Sequence, residues 1–437
     1  MSDTVRNVGL FGLVALLIIG TGVIQGVNAA LFLLNMGLVS AIMALGVNLQ
    51  WGFAGLFNIG VMGFVALGGL AAVLIGMPPT TEAIQAGGAQ VAFAMTLGAA
   101  TIVGAILAYR HLAEGRMRTL VVLGIIVVGF LIYRSIFDPA RDAIEAVNPA
   151  GTGFLGGFGA EGLWMLIAWP AGGLIAAGAA WVIGKTALGL RSDYLAIATL
   201  GIAEIIIAIL KAEDWLSRGV KNVVGIPRPV SYEVDLQADP AFLERAEGLG
   251  LDPVFASNLQ VRIEWAVLFT IVLVLLLILA QLALNSPWGR MMRAIRDNET
   301  AAEAMGKDVT KRHLQIFILG SAICGMAGAM MTTLDSQLTP AAYQPLRFTF
   351  LIWVMVIVGG SGNNFGAVLG GFVIWFLWIQ VEPASQILLE ILTYPLADGS
   401  ALKEHLFEAS AHMRLFTMGL VLLVMLRFFP RGLIPEK

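Results

Sequence analysis

The chain has one cysteine and four histidines in 437 residues, and each scarcity excludes a class of chemistry. Cys324 lies inside an apolar run and has no second thiol to pair with, so no intrachain disulfide framework can hold the fold. His111, His313, His405 and His412 follow no ligand-like spacing, and no metal centre is expected. The same shortage argues against an intramembrane enzyme, which needs a nucleophile with its base, or metal ligands, inside the spans. Charge is the third shortage. Asp, Glu, Lys and Arg make up 13% of the residues, where a soluble globular domain carries about 25%. An ordinary water-soluble domain is excluded, and nucleic acid is not an expected partner.

What the chain has in abundance is apolar sequence: 58% of residues are hydrophobic and the mean hydropathy is +0.85. A bilayer crossing takes about 20 apolar residues. Runs of this kind fall near 8–25, 29–49, 55–76, 91–109, 119–137, 163–183, 194–210, 265–284, 314–331, 348–360, 365–380 and 414–429. They recur along the whole length, which excludes a cleaved signal peptide followed by a soluble domain. The reading is all-α: a polytopic integral membrane helix bundle of about 10–12 spans, with residues 1–437 forming a single transmembrane domain. The shorter runs, and the one broken at Gly359-Gly360-Ser361-Gly362-Asn363-Asn364, are candidates for half-helices or re-entrant segments.

Basic residues give the orientation. Arg290, Arg293, Arg296, Lys307, Lys311 and Arg312 lie in the 285–313 loop; Arg110, Arg116 and Arg118 lie in a short turn; Arg427, Arg431 and Lys437 follow the last run. These segments are expected on the cytoplasmic side. Alternation then puts 138–162, 211–264 and 381–413 on the other side, all richer in acid than base, and both termini inside. Residues 211–264 read either as a small external cap or as a solvated linker.

Polar groups within the apolar runs are few. Glu204 is the one acidic residue well inside a span; a carboxylate in lipid costs about 2.5–3.5 kcal/mol, so it is expected to face the bundle interior or water. It reads as a lining of the passage or as a hydrogen-bonded helix contact. Asn48, Asn58, Asn363 and Asn364 carry the same choice, with Asn48 and Asn58 flanking a glycine-rich break that could offer backbone groups to a zwitterion. Two strings are decoys. Gly178 to Thr186 (GAAWVIGKT) has one residue too many for a phosphate loop and ends an apolar run. The stretch from Gly151 to Gly156 matches a dinucleotide fingerprint without a βαβ context. An energy source must therefore sit on another chain.

The densest charge lies in the 285–313 loop. Arg290, Arg293 and Arg296 recur every third residue and would share a helical face. Thr300-Ala301-Ala302-Glu303 fits a capping box that would start a short helix, and Gly306 is placed to end it. Ala301, Ala302 and Met305 would offer small apolar knobs. A basic, amphipathic loop lying against anionic lipid headgroups is the competing physical reading.

The run from Gly289 to Gly306 (GRMMRAIRDNETAAEAMG) resembles the cytoplasmic coupling loop of ABC importer permeases, and in particular that of branched-chain amino acid permeases of the LivM type. Four further stretches follow in that family's order: 43–60, 191–201, 359–370 and 430–433. The resemblance implies a permease subunit of an ATP-driven importer in a bacterial cytoplasmic (inner) membrane, moving branched-chain or other neutral amino acids. It implies two ABC ATPase subunits docking on the 299–306 helix through Arg293, Arg296, Glu299, Ala301, Ala302, Glu303 and Gly306. It also implies a second related permease, an extracytoplasmic substrate-binding protein, contact with membrane lipid, and no cofactor in this chain. Asn48, Asn58, Glu204 and Asn363 are the candidates for the translocation pathway. The apolar pair at 91–137, the segment after Trp215 and the insert at 381–413 are larger than the family pattern requires. An importer of urea or short amides shares this permease type and stays open as an alternative, and an ion-coupled secondary transporter is a more distant one.

Overall fold

The computed structural model describes residues 3–149, 151, 153–394 and 400–436. Among these, nine helices are long and apolar enough to cross a membrane, ten if the bent pair Ala401–Ala409 and Met413–Phe428 forms one span. Two shorter apolar helices, Val61–Gly76 and Leu346–Gly359, complete the set. The chain is thus the polytopic helical bundle expected; Leu346–Gly359 ends at the glycine-rich break seen in the sequence, whereas Val61–Gly76 is shorter than the 55–76 run because residues 55–60 leave the helix.

The principal helices are α1 (Asp3–Gln25), α2 (Val27–Ala54), α3 (Val61–Gly76), α4 (Ala89–His111), α5 (Arg116–Ala146), α6 (Ala168–Ala187), α7 (Ser192–Ala212), α8 (Pro253–Asn285), α9 (Pro287–Asp297), α10 (Glu299–Ala304), α11 (Val309–Asp335), α12 (Leu351–Gly359), α13 (Asn364–Thr393) and α14 (Met413–Phe428). A two-residue ribbon pairs β1 (Val223–Val224) with β2 (Gln337–Leu338), antiparallel.

The centre of the bundle is α2, wrapped by α8, α11, α12 and α13, with α3 and α6 packed on α11. Lipid offers no hydrophobic drive between helices, so close backbone contact must supply the attraction. Glycine makes that contact. A Cβ on Gly325 of α11 would stand 2.6 Å from the Gly172 carbonyl of α6, one on Gly46 would stand 2.8 Å from the Gly320 carbonyl, and one on Gly68 would overlap the Gly325 carbonyl. By contrast α4 and α5 pack mainly on each other and expose most of their surface. Phe137 ties the pair to Trp215 of the 213–252 segment by an edge-on contact, ring centres 5.7 Å apart.

Two boundaries differ from expectation. Helix α8 begins at Pro253 instead of near 265, because Asp252 caps it, accepting the Phe255 N–H at 3.0 Å, and Pro253 fits its first turn. Residues 213–252 are a folded cap of short helices rather than a solvated linker; Phe242, Ala246 and Ala256 form its small apolar core. The 381–413 insert begins as helix, since α13 runs through Pro383 to Thr393; residues 395–399 of that insert lie outside the described residues. The GAAWVIGKT string is continuous helix within α6. Of the 151–156 string, Thr152 lies outside the described residues, and the loop that follows folds over the end of α3, with the Gly157 N–H donating to the Met77 carbonyl at 3.0 Å.

The alternation of helices gathers the 286–308 loop, the end of α2 and residues 430–436 at one face, and the 213–252 cap with the β-ribbon at the other. Replacing Gly325 by Leu is expected to push α6 from α11. Overpacking of this kind costs about 1–3 kcal/mol, read as a lower unfolding temperature in detergent, and a wild-type melting curve would count against this packing.

Candidate functional site

The loop face is built from two helices that the sequence starts and stops locally. In α9, Gly289, Met292 and Ile295 recur at three-residue spacing and are buried, and the parallel row Arg290, Arg293 and Arg296 runs beside that face, Arg290 exposed and the other two half-buried. The chain breaks at Asn298, whose backbone is extended and whose side chain accepts the Ala301 N–H at 2.9 Å. The cap of α10 is therefore Asn298 and not Thr300, and no capping box closes through Glu303, which is exposed. The C-terminal end matches expectation. Gly306 takes φ +74°, its N–H bonds the Glu303 carbonyl at 2.8 Å, and the Lys307 N–H bonds the Ala302 carbonyl at 3.1 Å. That pair of bonds is a Schellman closure. Asp308 then caps α11 by accepting the Lys311 N–H at 2.9 Å.

Of the three apolar knobs, Ala302 is buried between Ile295 and Val309 and anchors α10 to both neighbouring helices. Ala301 is exposed and Met305 is 80% exposed. The presented face therefore comprises Glu299, Ala301, Glu303 and Met305.

Arg296 turns inward to the chain itself. Its Nη1 donates to the Gly52 carbonyl at the end of α2 (2.5 Å) and to the Glu436 carboxylate (2.8 and 3.0 Å), while Nε donates to Asp297 (3.0 Å). Burial works against its charge, but the pairing with Glu436 and Asp297 outweighs it and raises the pKa above the ordinary guanidinium value. Arg293 reaches the Leu284 carbonyl at 3.4 Å, and Arg290 the Asn285 carbonyl at 3.1 Å. Together with Arg431, these side chains line a cleft of about 770 Å³ between α9 and residues 430–436.

Deeper in the bundle, the helices break at 55–60 and 360–363, and polar side chains fill the break. Asn48 donates to Asn364 Oδ1 (3.0 Å) and accepts the Gly362 N–H (2.9 Å). Asn58 donates to Gln50 (2.9 Å), accepts the Gly60 N–H (2.9 Å) and offers its carbonyl to Trp353 Nε1 (3.0 Å). Asn363 caps α13 by accepting the Phe365 and Gly366 N–H groups and donates to the Pro435 carbonyl. All three asparagines have both amide atoms bonded, so the structure uses them to hold the break. Sequence reasoning missed the partners Gln50, Thr349 and Trp353; Gln50, a polar residue directly after the apolar run that holds Asn48, was the available signal. Glu204 is exposed on α7, 13th of 21 residues, and does not face the interior of this chain.

Comparison with known proteins places this architecture. The family described as "Branched-chain amino acid transport system / permease component" matches residues 143–426, beginning where the α4–α5 pair ends. A probable branched-chain amino acid transport permease protein LivM of Methanocaldococcus jannaschii is 31% identical over 248 residues, 57% of this chain and 61% of that protein. The high-affinity branched-chain amino acid transport system permease protein LivM of Salmonella typhimurium is 28% identical over 215 residues, 48% of each chain. A fructose import permease protein, FrcC of Rhizobium meliloti, is 27% identical over 125 residues, 28% of this chain and 35% of that one. The matched stretches thus span about half to three fifths of the length of the LivM relatives. No solved structure matches the chain.

Asn48→Ala is expected to strand the buried Gly362 N–H and Asn364 oxygen. The cost is about 1–3 kcal/mol, visible as a lower melting temperature of the detergent-solubilised chain, and an unchanged value would remove Asn48 from the clamp.

Proposed function

The chain belongs to the branched-chain amino acid permease family, a multi-pass membrane transporter subunit and not an enzyme, and from that premise we propose the following cycle. This subunit moves branched-chain or other neutral amino acids inward across the bacterial cytoplasmic membrane, and its energy comes from two ABC ATPase subunits on the loop face. Glu299, Ala301 and Glu303 on α10 meet the ATPase. Ala302, Gly306, Arg293 and Arg296 keep that helix in position.

The observation that carries this reading is the mechanical link behind α10. Ala302 packs on Val309 at the start of α11, and α11 is 27 residues long, about 40 Å. It runs through the bundle against α2, α3 and α6. A push on α10 is delivered to a helix that packs on α2, α3 and α6 at once. Closure of the ATPase pair would thus rock the bundle between openings to either side.

Glu204 supports a second, related permease. A carboxylate on the exposed middle of a span costs about 2.5–3.5 kcal/mol in lipid, and a neighbouring subunit that lines a polar passage would relieve that cost. Asn48, Asn58 and Asn363 would hold the break beside the passage. The folded cap at 213–252, on the opposite face, would receive the extracytoplasmic binding protein that delivers the amino acid. No cofactor is required in this chain, since ATP is held by the ATPase subunits.

Glu303→Lys and Gly306→Pro are expected to leave membrane insertion intact and to lower ATP-driven uptake by roughly tenfold, the scale of a coupling of about 1–3 kcal/mol. Uptake at the wild-type rate in either variant would remove α10 from the coupling role. Glu204→Ala is expected to slow uptake while the ATPase still co-purifies in normal amount; unaltered uptake kinetics would end its assignment to the passage.

A further inference from the structure

At the end of the bundle opposite the 286–308 loop, α2, α8, α11 and the cap line a partly open pocket of about 230 Å³, with Asp335 exposed at its edge. Its lining combines both signs of charge with an apolar wall: Asn35, Arg228, Glu233, Arg262, Trp265 and Asp335. Arg228 and Glu233 pair with each other, and Arg228 also covers the Tyr232 ring at 4.5 Å. Burial alone would raise the Glu233 carboxyl, yet Arg228, helped by Arg262, holds it below its ordinary range. That pair belongs to the wall.

The other three polar groups each keep bonding capacity unused within the pocket. Among the described residues, the Arg262 guanidinium and the Asp335 carboxylate form no ion pair within 4 Å. Asn35 is 1% exposed; its amide nitrogen donates to the Arg262 carbonyl at 3.0 Å, and its Oδ1 has no hydrogen-bond partner. A buried acceptor left unpaired costs about 1–3 kcal/mol. A cation and an anion without an ion pair inside 4 Å, facing only the more distant charges of Glu233 and Arg347 respectively, share one pocket with an unpaired acceptor and the 2%-exposed Trp265 ring, and together form the complement of one kind of molecule.

We propose that this cavity is a docking site for the amino-acid zwitterion on its way into the permease, a step that deepens the transport reading above and rests on it. Arg262 takes the α-carboxylate through its two parallel donors. Asp335 and Asn35 Oδ1 take the α-ammonium. The apolar side chain of the ligand lies against Trp265. The volume suits a single amino acid and falls below the 300–1,000 Å³ or so of drug-sized pockets. Neither charge of a zwitterion would be left unpaired there. A ligand carrying only one of the two would leave either Arg262 or Asp335 without a direct ion-pair partner.

The experiment measures equilibrium binding of radiolabelled L-leucine to the full chain in nanodiscs, in competition with 4-methylpentanoate, which lacks the ammonium, and isopentylamine, which lacks the carboxylate. The expected result is saturable leucine binding, with each single-charge analogue weaker by about tenfold or more, the equivalent of one charge-assisted contact. Asp335→Asn and Arg262→Gln are each expected to weaken leucine by a similar factor, with Arg262→Lys recovering part of the loss and melting temperatures held at the wild-type value. Absence of saturable binding, equal binding of the three probes, or variants that bind like the wild type would overturn the site. ATP-driven leucine uptake by the assembled transporter, measured in parallel, separates the two levels. Uptake present with binding unaffected by the variants defeats the docking site alone. Uptake absent defeats the transport reading and the site with it.

Discussion

Every backbone N–H and C=O that leaves a helix inside a bilayer must find a partner within the protein, because the lipid supplies none. The bundle breaks this rule's easy solution at two places, after α2 and after α12, and much of the interior exists to repair the damage. Asn48 and Asn58 each bond a freed backbone N–H, at Gly362 and Gly60. Thr199 and Thr349 bond the N–H and the carbonyl of Ile59. Gln50 crosses to the Phe317 carbonyl and Ser321 on α11. The aromatic trio Trp51, Phe57 and Trp353, with ring centres 4.8–5.4 Å apart, seals this polar knot from its surroundings. Two interrupted helices thereby share one hydrogen-bond network, which joins α2, α7, α11 and α12 into a unit.

Much of this was legible in the sequence, for specific reasons. Length and polarity of apolar runs set the spans, and the glycine-rich break at 359–364 marked the short helix 346–359; the short helix 61–76 was hidden, because the apolar run continues back to 55 through residues that are not helical. Gly306 was readable because only its backbone geometry matters. The cap of α10 was misplaced by two residues because Asn298 and Thr300 are both good caps, and the choice depends on where α9 stops, which is set by burial of Ile295. Ala302 could not be told from Ala301, since one-residue differences in facing follow from packing with α11. The start of α8 was hidden by Gln260, Arg262 and Glu264, polar residues that lower the local hydropathy while lying on helix.

The α4–α5 pair stands apart from this economy. It precedes the region shared with the permease family and touches the bundle through few side chains. Gly98 and Gly129 let its two helices close on Tyr133 and Thr101, so the pair is held by its own contacts. The shared core reads the same with or without it, which explains how five family-like stretches keep their order around an insertion.

The strap formed by residues 433–436 has a consequence for biogenesis. Leu433 and Ile434 donate their N–H groups to the Val358 and Gly359 carbonyls, Pro435 receives Asn363, and Glu436 receives Arg296. These partners lie about seventy to a hundred and forty residues earlier in the chain. While the ribosome is still working, the turn at 360–363 and the base of α9 must wait, with α12 and α13 already handed to the membrane and their junction open to water. The strap is therefore a late rivet, and the nascent permease passes through a stage in which its spans are threaded but its loop face has not yet set.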